Sequence, residues 1–94
     1  VLQDDAEAVR WYKLAAAQGY SLAQYNLGLA YLRGEGVSKD YLQAHMWMNL
    51  AAASGYKTAP KARDVIGKII TAQQKAKAQA MAKKCLSSQY SDCD

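Results

Sequence analysis

The chain repeats itself at an offset of 36 residues. Val1 aligns with Val37, Asp4 with Asp40, Ala8 with Ala44, Trp11 with Trp47 and Leu14 with Leu50; Ala15, Ala16 and Ala17 align with Ala51, Ala52 and Ala53. Gly19-Tyr20 then matches Gly55-Tyr56, and Ala23 matches Ala59, so 11 of the first 23 positions are identical. A period in the thirties built from helical stretches and glycine turns describes an α-solenoid, in which each helix pair buries its apolar face against its neighbours. The expected fold is therefore all-α, an α-α superhelix forming a right-handed solenoid of antiparallel helix pairs. A chain of 94 residues has room for one such domain only.

Local chemistry places about five helices. Asp4 and Asp40 are N-cap candidates, and each opens a run that ends at a glycine, Gly19 or Gly55, suited to the left-handed position after a helix. Ser21-Leu22-Ala23-Gln24 has the spacing of a capping box and predicts a helix to about Arg33, broken by Gly34-Glu35-Gly36. Thr58-Ala59-Pro60 predicts a helix to about Ile70, with proline in the first turn. Thr71-Ala72-Gln73-Gln74 is a second capping box, opening a last helix to about Leu86.

Composition agrees with close helix packing. Leu, Ile and Val number only 16 and Phe is absent, but 18 Ala, 7 Tyr and 2 Trp replace them. Trp11, Tyr12, Trp47 and Met48 are expected to supply the large apolar surface of the core. Gly28 and Ala23 are expected to face Ala15, Ala16 and their copies at short interaxial distance. No apolar run is long enough to span a membrane.

Ala23-Gln24-Tyr25-Asn26-Leu27-Gly28-Leu29-Ala30-Tyr31, followed by Gly34-Glu35-Gly36-Val37, Asp40, Ala44 and Trp47 through Gly55, resembles the Sel1-like repeat, a relative of the tetratricopeptide repeat. The resemblance implies the second helix of a truncated repeat over 1–19, a complete repeat over 20–55, and capping helices with a tail over 56–94. It also implies the C-terminal part of an array, of bacterial origin. Registered on the tetratricopeptide pattern, Leu22, Tyr25, Leu29, Leu32 and Arg33 point into the concave groove, where a peptide or helix of a partner protein would bind. The other reading of those residues is packing against a neighbouring repeat. The first helix is expected to expose the face a preceding repeat would cover, which makes self-association through that helix an expected property.

Residue sets for catalysis or cofactors do not assemble. Ser54-Gly55-Tyr56-Lys57 fits the S-x-x-K spacing, and some cysteine-rich relatives of the family are linked to penicillin binding. Ser54, however, precedes a helix-ending glycine and has no S-D-N partner. His45, the single histidine, has Tyr41, Leu42, Met48 and Asn49 as its helical neighbours, which do not make a metal site. Gly34 and Gly36 lack the preceding strand of a dinucleotide loop. The expectation is a non-enzymatic protein-interaction scaffold with no cofactor and no metal.

Cys85 and Cys93 are spaced to close a short loop over the end of the last helix, either as a disulfide or as two free thiols. A bond would place the protein in an exported setting, periplasmic or secreted, and free thiols would place it in the cytoplasm. Net charge is −1 over residues 1–56 and +5 over 57–94. The basic excess supports a second function, binding of an anionic surface (nucleic acid or lipid) through the C-terminal helices. Solvation of the capping pair explains the lysines equally directly, so nucleic acid is not the expected partner.

Overall fold

A computed structural model describes residues 4–93 of the chain. Its elements are α1 (Asp5–Ala16), α2 (Ser21–Arg33), α3 (Tyr41–Ala53), α4 (Ala59–Gly67) and α5 (Ala72–Ser87), with no strand among the described residues. The Val1 end of the repeat alignment lies outside that range. Among the described residues no helix is long and apolar enough to cross a membrane.

From α1 to α4 each helix packs on the next, whereas α5 packs on α3 and makes no comparable contact with α4. The central position of α3 follows from its sequence. From Ala44 to Ala51 every residue except Asn49 is buried, so the helix is apolar nearly all round, as an element enclosed by neighbours must be. Among the described residues Leu27, Met46, Met48, Leu50 and Ile66 are large apolar side chains fully withdrawn from solvent.

The helix ends behave largely as local chemistry requires. The Asp4 carboxylate accepts from the Glu7 amide, and Asp40 accepts from the amides of Leu42 and Gln43. Gly19 and Gly55 take left-handed φ values of 88° and 92°. Thr71 and Gln74 close their capping box reciprocally. Gly36 is also left-handed, and a Cβ there would collide with the Asp5 carbonyl, so the α2–α3 loop lies directly against the first turn of α1.

Four expectations are corrected. Ser21 forms no capping box: the N-cap position is Tyr20, without a side-chain bond. Gln24 instead lies fully buried, donating to the Ala16 carbonyl and accepting from the Ser54 hydroxyl, and so ties α1 to the end of α3. Gly28 faces Met48 on α3, not the alanines of α1; its missing Cβ would sit 3.0 Å from the Met48 methyl. Trp11 is 65% exposed while its repeat counterpart Trp47 is 6% exposed. Trp47 has α2 and the C-terminal tail over it, whereas no described helix packs on the outer face of α1. Finally, α4 stops at Gly67, and Lys68 to Ile70 form a tight turn, with the Lys68 amide shared between the Asp64 and Val65 carbonyls.

Candidate functional site

The stripe on α2 singled out above does not form one continuous lining. Leu29 and Arg33 enter a cleft of about 230 Å³ between α1 and α2, opposite Val9, Tyr12 and Asp5. Arg33 is exposed at its rim and pairs with Glu35 at 3.8 Å, which gives the rim both charge signs. Tyr25 stacks on Tyr56, with ring centroids 4.5 Å apart, toward the α4 side. Leu22 stands 55% exposed at the start of α2, and Leu32 is half-buried against the core. The stripe thus offers Leu29 as an apolar contact within a mostly polar cleft, an open leucine at Leu22 and a charged end at Arg33.

A second concavity involves residues that spacing along the chain does not connect. His45 and Asn49 of α3 meet Arg63 and Asp64 of α4, Lys68 of the following turn, and Lys75 and Gln79 of α5 around an open space of about 630 Å³. His45 is 2% exposed, and its Nδ1 is buried without a hydrogen-bond partner. Burial, and then the charges of Arg63 and Lys75, push the imidazole below its ordinary value of 6.5, with Asp64 acting more weakly in the opposite sense. The neutral ring is therefore the folded form at neutral pH. Sequence reading missed the cluster because its members come from separate helices; the one signal available was a histidine inside an otherwise apolar run.

This arrangement has a pH consequence. The folded value lies below the unfolded 6.5, so the unfolded chain binds the extra proton over that interval, and the contribution of His45 to stability is complete above about pH 7. It is lost as pH falls through 6.5 toward the folded value. Thermal melts are expected to show the melting temperature falling between about pH 7.5 and pH 5, with a shallower fall in His45→Gln. An equally steep fall in the variant would assign the loss to other groups.

The C-terminal tail fills a third groove. Tyr90, Ser91 and Cys93 lie against Lys13 and Ala17 of α1, Leu27 and Tyr31 of α2, and Trp47 of α3, leaving about 160 Å³ between them. The Cys85 and Cys93 sulfurs are within bonding distance, with Cα atoms 4.3 Å apart. Ser88 assists the fold-back: its hydroxyl donates to the Cys85 carbonyl and accepts from the Asp92 amide. Ser54, considered above for its S-x-x-K spacing, donates its hydroxyl to Gln24 at the end of α3. Among the described residues no group of His, Cys, Asp and Glu is placed to hold a metal ion.

Comparison with known proteins agrees with the helical repeat. No curated protein matches the chain significantly. The family model described as Sel1 repeat matches residues 1–20 and 21–56. Repeats of this family generally mediate protein–protein interaction and are typically non-enzymatic scaffolds. Two tandem matches covering more than half of the residues, on a chain whose helices stack pair on pair, establish that it belongs to the Sel1 repeat family.

Proposed function

We propose that the chain is a scaffold segment that binds a peptide or helix of a partner protein along α2, with Leu22, Tyr25, Leu29, Leu32 and Arg33 as the contact residues. The observation that carries this reading is the α1–α2 cleft, where Leu29 lies opposite Val9 and Tyr12 beneath the Arg33–Glu35 rim. The exposed lining of the cleft is mostly polar, with Asp5, Asn26, Arg33 and Glu35 around Leu29, which suits a polar segment carrying a single apolar anchor. The exposed Trp11 and Leu14 leave α1 open for the expected self-association. The Cys85–Cys93 pair supports an oxidising, exported location.

A displayed peptide library selected on the protein tests the assignment. Selected peptides are expected to bind Leu29→Ser and Arg33→Glu at least about tenfold more weakly, because central contacts dominate an interface. Binding is expected to persist in about 0.5 M salt, where exposed charge attraction is screened. Equal affinity for the variants, or loss of binding in salt, would transfer the function to the basic C-terminal helices.

A further inference from the structure

The concavity between α3, α4 and α5 has no part in the partner-binding reading. Its lining carries three cations (Arg63, Lys68 and Lys75) and one carboxylate (Asp64), leaving a net charge of +2, together with the Asn49 and Gln79 amides. The geometry points to a binding site for the phosphate group of a small phosphate monoester.

Side-chain placement supports that chemistry. Arg63 is held in position rather than free to swing: its Nε donates to Asp64 at 3.3 Å and its Nη1 to the Asn49 side-chain oxygen at 3.3 Å. The remaining guanidinium protons are left for a ligand, the fixed donor array that oxyanions favour. Lys75 is half-buried and reaches across Gly67; a Cβ on that residue would sit 3.1 Å from the Lys75 Cε and 3.8 Å from the His45 Nε2. The glycine therefore lets an ammonium and an imidazole approach one space that a larger residue would obstruct. His45 forms the floor, 2% exposed, with Nε2 the ring atom near Gly67; its Nδ1, buried elsewhere, is a separate polar atom that the helix packing leaves without a partner. A dianionic phosphate matches the net charge, and at about 630 Å³ the space exceeds what the phosphate group fills, leaving room for an organic portion.

Because His45 is the single histidine, its ring signals in a long-range proton–nitrogen NMR spectrum report on the site directly. Glycerol 3-phosphate, inorganic phosphate and glycerol are titrated separately to about 20 mM, the range in which a few charge-assisted hydrogen bonds hold a small anion, against sodium chloride at matched ionic strength. The ester is expected to shift the His45 ring signals saturably and to raise its titration midpoint by about one unit. Inorganic phosphate is expected to act likewise but no more tightly, and glycerol not at all. Lys75→Gln and, separately, Lys68→Gln should weaken ester binding at least about fivefold, while Lys77→Gln, which is exposed and outside the cleft, should leave it unchanged. The two cleft variants keep the test decisive if one fails to fold, as judged by its melting curve. A response to the ester no larger than that to chloride, or equal losses in the Lys77 and cleft variants, would overturn the site.

Discussion

Leu27→Ala is expected to be strongly destabilising, costing about 2–5 kcal/mol. Leu27 is 0% exposed on α2, the helix that joins α1 to the α3 hub, and it borders the space beneath Tyr90 beside Trp47 and Tyr31. Removing its branched end would enlarge a space already bounded by rigid aromatic rings and helix backbone, so inward collapse recovers little. In a domain of this size the loss corresponds to a melting temperature lowered by at least about 8 °C. Leu22→Ala is the internal control, since the same residue type on the same helix is 55% exposed, and its effect should stay within about 0.5 kcal/mol. Chemical denaturation of both variants measures the difference; similar midpoints would mean that Leu27 is not an anchor of the α1–α2–α3 junction.

Replacing the cysteines together, Cys85→Ala with Cys93→Ala, is expected to cost about 2–3 kcal/mol. A bond spanning a sequence separation of 8 contributes about 2.5 kcal/mol by restricting the unfolded chain. Alanine is the appropriate substitute because Cys85 is fully buried and a serine hydroxyl there would add a desolvation cost. Tyr90 and Cys93 flank the groove at Trp47, so release of the tail widens the access of water to that ring. A dithiol reductant should lower the wild-type melting temperature to that of the double variant and leave the variant unchanged. A wild-type melt insensitive to the reductant would remove the bond from the stability of the fold.

What could be read in the sequence followed from how local the physics was. Asp40 capping α3, the Thr71–Gln74 box and the left-handed Gly19 and Gly55 depend on residues within a few positions of one another. Ser21-x-x-Gln24 has the same pattern as Thr71-x-x-Gln74, yet Gln24 is drawn inward because α3 brings Ser54 to it across 30 residues. Trp11 and Trp47 occupy one repeat position and differ tenfold in exposure, since burial depends on which elements lie opposite. The candidate groove residues were identified as a helix stripe; their division between the α1 cleft and the Tyr56 ring depends on packing that spacing does not encode. The histidine cleft depends wholly on how α4 and α5 dock on α3.

The position of α1 has a consequence for affinity. Its principal packing partner is α2, and its C-terminal turn is touched by the tail, with Tyr90 beside Gly19. One wall of the α1–α2 cleft is therefore an end helix with a single principal neighbour, and its local opening requires less free energy than unfolding the α3 hub. Apparent affinity for a partner segment scales with the fraction of molecules in which that wall is in place. For a partner segment bound in the proposed cleft, a tail closed by the Cys85–Cys93 bond would steady the end of α1 from a distance, and reducing that bond would lower partner affinity without touching the partner.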